Sequence, residues 1–373
     1  MTEAQVPGLA VALIRNGRLA FSKAYGLADR ERGELLKTDT VMAGASLTKA
    51  AFAYLVLQLV DEGVINLDRP LPLQLRLPLH LYADYADLAD DPRWREITPR
   101  MLLSHSSGLI NWRWINPDRK LTLNYAPGKR YVYSGEGIQL LQLIVEERTR
   151  VPLAALMQKR VFDRFGMVNT SMVWRDDFAA HAATGYAVDG STRGHAQRHT
   201  ARAAGSMDTT LNDYAGFLAG VLRGDGLSAA ARQQMLSAQV TIVSPQQFPS
   251  HWPGETTVNQ GIALSAGLGW IVYRSPRGPA FFKEGSDEGT SNFALGFASS
   301  RDGLVMLSNS GNADQLFNAA AELLLGPPAT CLPWFWMGYI PHDRPELRKP
   351  GARDMPLGPG CTALDQLPEG SRR

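Results

Sequence analysis

Several features that point to particular protein classes are scarce in this chain of 373 residues. It has two cysteines, Cys331 and Cys361, which we interpret as separate thiols; the alternative, a disulfide, would need an oxidising compartment. The formal net charge is only +2, which gives no indication of nucleic acid or an anionic membrane surface as a partner. The longest apolar runs, such as "AAFAYLVLQLV", reach about half a membrane span, so no transmembrane segment is predicted.

Motifs for several common chemistries are also missing. The sequence contains no Gly-x-Ser-x-Gly elbow, no P-loop and no Rossmann glycine motif, so neither an α/β-hydrolase nor a nucleotide cofactor is indicated. His195 and His199 are four positions apart, but no third ligand is near, and we predict no metal site. The first residues lack the basic region and cleavage site of a signal peptide. The protein is therefore expected to be cytoplasmic, or periplasmic if a leader has been removed.

The pattern of apolar and turn-forming residues differs between the two ends of the chain and its middle. Two apolar segments meet at Asn16-Gly17, a dipeptide that strongly favours a β-hairpin. From Gly267 onward, short β-rich segments are separated by Gly, Pro, Asp or Ser, which is typical of antiparallel strands. Between them, Ser46–Glu62 and several later stretches have helical apolar spacing.

We therefore predict an α+β fold with an antiparallel sheet flanked by helices. The strands of the two ends would pair in one sheet, and the helical middle would form an inserted domain. The predicted boundaries give a sheet domain of residues 1–69 and 206–326, a mostly helical domain of residues 70–205, and an irregular C-terminal extension of residues 327–373. The composition leaves the oligomeric state open.

Ser46 and Lys49 are the first candidates for chemistry. They lie three positions apart at the beginning of a predicted helix, so their side chains share one helix face. A serine hydroxyl becomes a good nucleophile when a nearby base takes its proton, and a lysine can be that base when burial lowers its pKa. The apolar run that follows predicts a buried helix. This context favours nucleophilic catalysis over a capping serine beside an exposed lysine.

Two later segments contain further candidates. Tyr133 precedes a predicted helix, and Lys283 lies on a strand that we expect at the edge of the sheet. A phenol between two lysines would relay protons, because neighbouring positive charges favour the phenolate. Gly285 would let a substrate lie against the strand, and the backbone N–H groups of Ser46 and Ser286 would form an oxyanion hole.

Three short motifs resemble those of a known family. "SLTK" at Ser46–Lys49, "YSG" at Tyr133–Gly135 and "KEG" at Lys283–Gly285 resemble the SxxK, YxN and K/HxG motifs of the penicillin-recognising serine hydrolases. The segments "LLSHSSGL", "FGMVNTSM" and "AAGSMDTTLNDYAGFL" are similar to further stretches of that family, in the same order. The resemblance covers roughly residues 5–325. The branch it resembles most includes class C β-lactamases, D-alanyl-D-alanine carboxypeptidases, D-aminopeptidases and family VIII carboxylesterases.

The resemblance implies a β-lactamase/transpeptidase-like fold with the active site in the cleft between the sheet and the helical domain. It implies that Ser46 is acylated, that Lys49 and Tyr133 move protons, and that Lys283 is their electrostatic partner. The amides of Ser46 and Ser286 would form the oxyanion hole, and water would release the acyl group. No cofactor is implied.

Four further residues are expected to contact the substrate: Trp112, Gly135, Glu284 and Gly285. Trp112 would form a wall of the cleft, with core packing as the alternative. Gly135 replaces the asparagine that would bind a substrate amide, and Glu284 replaces the Ser or Thr that helps to hold a substrate carboxylate. A carboxylate at Glu284 would neutralise Lys283 or repel an anionic substrate. Both differences from the family motifs favour neutral esters as substrates, or amides and peptides that carry an amine.

The sequence thus predicts a serine hydrolase that forms an acyl-enzyme at Ser46 and acts on small esters or amides. A β-lactamase, a D-aminopeptidase and a D-Ala-D-Ala carboxypeptidase are alternatives within the same class. A non-catalytic binding or scaffold protein on the same fold is the alternative from a different class.

Overall fold

A computed structural model describes residues 1–244, 247, 250–251, 253–257 and 259–326. The predicted C-terminal extension, residues 327–373, lies outside these residues, and so do Cys331 and Cys361. Among the described residues, no helix is both long and apolar enough to cross a membrane.

The described strands lie mostly at the two ends of the chain and the helices between them. The strands are β1 (Gly8–Arg15), β2 (Arg18–Asp29), β3 (Glu34–Leu35), β4 (Met42–Ala43), β5 (Gly185–Tyr186), β6 (Thr192–Gly194), β7 (Asp208–Thr209), β8 (Val240–Thr241), β9 (Ser265–Ala266), β10 (Ile271–Ser275), β11 (Gly278–Asp287), β12 (Thr290–Phe297) and β13 (Asp302–Ser308). The helices are α1 (Leu47–Asp61), α2 (Pro99–Leu103), α3 (Gly135–Thr149), α4 (Leu153–Met157), α5 (Asp163–Phe165), α6 (Leu211–Arg223), α7 (Ala229–Met235) and α8 (Asp314–Leu325). A π-helical turn, Gln158–Phe162, joins α4 to α5. Short 3-10 helices occupy Leu71–Leu73, Leu79–Leu81, Ala83–Leu88, Pro92–Glu96, Arg113–Ile115, Asp176–Ala180 and Gln260–Ile262.

Both ends of the chain contribute to one antiparallel sheet. Across the described residues, its strand order is β3-β2-β1-β13-β12-β11-β10-β9-β8. The two ends meet where β1 pairs with β13, with Leu9 opposite Ser308. Asn16 and Gly17 both have positive φ angles, 51° and 72°, as the tight turn of the β1–β2 hairpin requires. The predicted α+β fold with an antiparallel sheet is confirmed.

The two faces of the sheet are covered by different helices. Alternate side chains of a strand point to opposite faces, so neighbouring residues join different apolar clusters. Phe281 belongs to the cluster that includes residues of α1 and α6, whereas Phe282 contacts Phe293 in the cluster that includes Phe317 of α8. Helix α1 is buried from Leu47 to Leu59, which explains why its sequence is apolar on all sides. It places its first turn beside β11.

Strand β11 is an inner strand of the sheet as a whole, but at Lys283 it has the open side that an edge position implies. Its pairing with β12 runs from Ala280 to Asp287, but its pairing with β10 ends at Phe282. From Lys283 onward, β11 therefore has a described strand neighbour on one side only. The open side of this segment borders the cleft described below. The boundaries proposed for the sheet and helical domains stay a prediction.

Candidate active site

Ser46 occupies the N-cap position of α1, directly after a strained residue. Ala45 has a φ of +44°, in the left-handed region that non-glycine residues seldom adopt. Most helix-capping serines use their hydroxyl to cap the helix, but the Ser46 side chain makes no capping hydrogen bond. Its Oγ is therefore available to other groups. The short β4, which leads to Ser46, is anchored by its pairing with β7.

Lys49 points back to Ser46 from one helical turn further along α1. Its Nζ donates to Ser46 Oγ at 2.8 Å and to the carbonyl oxygen of Ala204 at 2.5 Å. The side chain is completely buried. Burial lowers the pKa of the Lys49 ammonium well below its usual range, the Lys283 cation lowers it further, and the Glu284 carboxylate opposes both effects. A neutral amine within hydrogen-bond distance of a free hydroxyl can act as its base.

Tyr133 lies between the two lysines of the site. The centre of its ring is 5.1 Å from Lys49 Nζ and also 5.1 Å from Lys283 Nζ. Lys283 Nζ donates to the phenolic oxygen at 3.5 Å. The backbone N–H of Tyr133 donates to Ser250 Oγ at 2.7 Å, which fixes the position of the segment before α3.

His105 supports Tyr133 and the segment that leads into α3. Its ring packs against the Tyr133 ring at 4.4 Å between centroids, and its Nδ1 accepts the backbone N–H of Ser134 at 3.2 Å. Burial and the nearby cations of Lys49 and Lys283 hold the pKa of His105 well below its ordinary value. The imidazole is therefore neutral, and its Nδ1 lone pair is occupied by the Ser134 amide.

Lys283 and Glu284 form a buried ion pair at the point where β11 loses its second neighbour. Lys283 Nζ contacts Glu284 Oε1 and also donates to the Glu284 carbonyl at 2.9 Å. Both side chains are almost completely buried, and burial lowers the pKa of Lys283 against the opposing effect of Glu284. Because the carboxylate is already in contact with the ammonium, the positive charge of Lys283 is largely neutralised before any substrate binds.

Gly285 lets β11 pass directly beside the first turn of α1. A Cβ atom added at this glycine would lie 2.6 Å from the Gly44 carbonyl oxygen and 2.9 Å from the Leu47 nitrogen. No other residue type fits without a shift of the backbone. This close approach brings Ser286 to the same cleft as Ser46, although the two come from distant parts of the chain.

Gly135, at the beginning of α3, lies directly against the indole of Trp112. A Cβ added there would lie 2.3 Å from Cη2 of Trp112, so the indole fills the space that a side chain would occupy. The Gly135 N–H donates to Asn111 Oδ1 at 2.9 Å. Trp112 is thus held against the beginning of α3, and it lines the cleft together with Ser46.

The cleft has a volume of about 1200 Å³. Of the predicted site residues, Ser46, Trp112, Tyr133, Glu284 and Ser286 line it, while Lys49 and Lys283 lie just beneath its surface. The described residues contain no cluster of three or more side chains that could hold a metal ion.

Sequence reasoning missed four contributors to the site: the Ala204 carbonyl, Asn111, Arg198 and Arg202. Three of them are side chains of the cleft wall, and the fourth is a backbone acceptor for Lys49. Asn111 and the arginines belong to loops, where no periodicity marks a residue as functional. A backbone carbonyl leaves no trace in the sequence at all.

The fold and the cleft together define a serine hydrolase of the β-lactamase/transpeptidase-like class. The family model described as Beta-lactamase matches residues 1–326, and the chain belongs to that family. The resemblance stated from the motifs is confirmed.

Individual relatives are moderately similar to the chain. A lovastatin esterase of Penicillium rubens is 29% identical over 324 residues, which cover 75% of this chain and 75% of that protein. The esterase EstB of Burkholderia gladioli is also 29% identical, over 199 residues that cover 46% of this chain and 49% of that protein. The octameric penicillin-binding protein homologue from Pyrococcus abyssi has a TM-score of 0.72 at 21% identity, with 90% of this chain and 78% of that chain covered. The structural likeness shows the shared fold.

Proposed function

We propose that the chain hydrolyses small, uncharged esters through an acyl-enzyme at Ser46. The observation that carries this proposal is the 2.8 Å contact between Lys49 Nζ and Ser46 Oγ, made by a lysine that is completely buried beside a second lysine. Burying a lysine costs free energy, because its charged form loses hydration. A base whose pKa is lowered in this way is suited to take the proton of a serine hydroxyl.

In the acylation step, Lys49 accepts the proton of Ser46 while Oγ forms a bond to the carbonyl carbon of the ester. The negative charge that develops on the carbonyl oxygen is stabilised by the backbone N–H groups of Ser46 and Ser286. The bond to the alcohol oxygen then breaks, and the proton passes from Lys49 to the leaving alcohol, with Tyr133 as the relay. Lys283 stabilises negative charge on the Tyr133 oxygen.

In the deacylation step, a water molecule attacks the acyl-Ser46 carbonyl. Its proton returns through Tyr133 and Lys49 to Ser46 Oγ, and the carboxylic acid leaves. The strained backbone at Ala45 and the close approach at Gly285 support this assignment, because they hold the two proposed oxyanion donors in fixed positions.

The preference for uncharged substrates follows from the Lys283–Glu284 ion pair. A substrate carboxylate that approached Lys283 would meet an ammonium already neutralised by Glu284, and it would have to give up its hydration for little attraction. The names of the two esterase relatives support esters as the substrate class. A β-lactam or a D-Ala-D-Ala peptide carries such a carboxylate and is therefore the less favoured substrate.

The test combines covalent labelling with two chromogenic substrates. The wild-type protein is expected to react with a fluorophosphonate probe and to hydrolyse p-nitrophenyl butyrate, whereas nitrocefin is turned over slowly. Ser46→Ala should abolish labelling and lower ester turnover by about 10⁴-fold or more, as removal of a catalytic nucleophile does. Ser191→Ala, at an exposed turn, is the matched control and should label normally.

Two results would refute the proposal. If Ser46→Ala labels as well as the wild type, Ser46 is not the nucleophile. Efficient turnover of nitrocefin without cleavage of p-nitrophenyl butyrate would instead make the protein a β-lactamase.

A further inference from the structure

Two tryptophans of the cleft wall are stacked on each other. The rings of Trp112 and Trp114 lie 4.6 Å apart between centroids, with only 10° between their planes. Trp114 is 59% exposed, although large aromatic side chains are normally much better covered in a folded protein. Both rings line the cleft that contains Ser46. We name this pair the tryptophan platform.

The tryptophan platform is fixed to the helical layer by a set of polar contacts. The guanidinium of Arg113, the residue between the two tryptophans, makes a bidentate pair with Glu136 through two 2.8 Å hydrogen bonds. The backbone N–H of Arg113 donates to the same carboxylate at 3.1 Å. On the Trp112 side, the Glu136 N–H donates to the Asn111 carbonyl at 3.0 Å. The exposed indole is therefore held in place before a ligand arrives.

The position of the tryptophan platform relates it to the reaction centre. The ring centre of Trp112 is 6.0 Å from Lys49 Nζ, and its far edge fills the space over Gly135. The ring of Trp114 extends the apolar surface outward from Trp112, at a centroid distance of 4.6 Å. Because Ser46 and both rings line one cleft, a substrate whose carbonyl is at Ser46 can place a ring on this surface.

Charges in the cleft favour an uncharged ring over a cation. Four of the lining carboxylates already contact a basic side chain: Glu136 with Arg113, Glu284 with Lys283, Asp287 with Arg198, and Glu288 with Arg193. An ammonium or guanidinium on the substrate would compete with these pairs. A flat, neutral ring loses little hydration and gains offset stacking on an indole.

We propose that the tryptophan platform, Trp112 and Trp114, binds an aryl group of the substrate, so that the preferred substrates are neutral esters with an aromatic ring near the scissile bond. This inference rests on the proposed ester hydrolysis and adds the chemical class of the substrate. Trp114 presents the outer ring, and Gly135 is required because any side chain there would displace Trp112.

The experiment compares esters with and without an aromatic ring, and ethyl phenylacetate and ethyl cyclohexylacetate are the pair that differs only in the ring. Ethyl phenylacetate and benzyl acetate carry an aryl group on the acyl and the alcohol side, ethyl cyclohexylacetate carries a saturated ring, and ethyl butyrate carries none. Hydrolysis is followed by pH-stat. The wild type is expected to prefer at least one aryl ester over the cyclohexyl ester in kcat/KM. Trp114→Ala should reduce that preference about tenfold, mainly through KM, while the rate with ethyl butyrate stays within about twofold.

Two further variants serve as controls. Trp114→Phe keeps a flat ring and should retain most of the aryl preference. Tyr25→Ala removes an aromatic side chain that is 42% exposed on β2, and it should change no ratio.

Each other result has a definite meaning. If Trp114→Ala lowers all four rates equally, the tryptophan only supports the fold, and the inference is wrong while the ester hydrolase stands. If the wild type prefers neither aryl ester over the cyclohexyl ester, the platform does not select an aromatic ring and the inference is also wrong. If the wild type cleaves none of the four esters, the proposed function itself fails.

Discussion

Strand β11 is continuous in sequence, but its two halves differ in their surroundings. In its first half, Gly278–Phe282, it pairs with β10 throughout and with β12 from Ala280 onward, and its phenylalanines pack into the two apolar clusters. From Lys283 to Asp287 it is paired with β12 alone, and the segment contains a lysine, a glutamate, a glycine and a serine. The first half resembles an ordinary strand of a protein core, whereas the second half borders the cleft.

The comparison indicates how one strand can serve both stability and chemistry. Apolar burial in the first half stabilises the sheet. In the second half, the side without a strand neighbour leaves backbone groups available to a ligand, and buried charges reduce stability. We therefore expect substitutions in the first half to change the free energy of unfolding, and substitutions in or facing the second half to change the reaction.

The largest expected effect comes from removing the base that faces the second half. Lys49→Met should lower ester turnover by about 10⁴-fold, because Ser46 loses its proton acceptor. The same change replaces a buried amine with an apolar side chain and should alter the free energy of unfolding by no more than about 1 kcal/mol, since the loss of the Ala204 hydrogen bond offsets the relief of burying a polar group.

Its counterpart in the first half is Phe282→Ala. This variant should lose about 3–5 kcal/mol of stability through the cavity it creates. Where it is folded, it should still label with a fluorophosphonate. Urea unfolding measures the free energy of unfolding of the two variants, and fluorophosphonate labelling measures the reactivity of Ser46. A Lys49→Met protein as unstable as Phe282→Ala would contradict the comparison.

The second prediction compares Gly285, in the second half of β11, with a glycine of β12 that faces the first half. Gly285→Ala places a Cβ against the Gly44 carbonyl and the Leu47 nitrogen, which pushes β11 away from α1. Because the two proposed oxyanion donors lie on these segments, kcat should fall by about 10²–10³-fold, the effect of losing one such donor. Thermal unfolding and steady-state kinetics on p-nitrophenyl butyrate give the two readouts.

The matched control is Gly296→Ala on β12, opposite Phe281. A Cβ there would lie 2.4 Å from the Phe281 ring, so this variant should lose about 1–3 kcal/mol of stability while its kcat stays near that of the wild type. A Gly285→Ala enzyme with normal kcat would show that the close approach of β11 to α1 does not set the oxyanion geometry.

The sequence predicted those features that depend on local chemistry. The Asn16-Gly17 turn needs positive φ at two residues, which asparagine and glycine adopt readily. The contact of Lys49 with Ser46 follows from helical spacing alone. The antiparallel sheet and the family were predictable because ordered motifs run along almost the whole chain.

Features that depend on distant segments were not predictable in this way. The pairing of β11 with β10 ends at Phe282, which no pattern within β11 indicates. The sequence shows that position 135 has no side chain, but it does not show that the indole of Trp112 fills the space. The bidentate contact between Arg113 and Glu136 likewise joins residues 23 positions apart, which lie in a 3-10 helix and in α3. The apolar periodicity of either helix gives no sign of this contact. Such contacts are fixed by packing of the whole fold.

The smallest expected effect concerns the pH dependence that the second half of β11 imposes on Lys49. Lys283→Met removes the cation that lowers the pKa of Lys49, and it leaves the Glu284 carboxylate, which raises that pKa, without its partner. Both changes raise the pKa of Lys49. Lys49 must be neutral to accept the proton of Ser46, so the acid limb of the kcat/KM profile should move to higher pH.

The double variant Lys283→Met/Glu284→Gln also removes the carboxylate and should bring the acid limb back toward its wild-type position. A limb that stays in place, or moves to lower pH, in Lys283→Met would mean that the charges of β11 do not act on Lys49 and that burial alone keeps this lysine neutral.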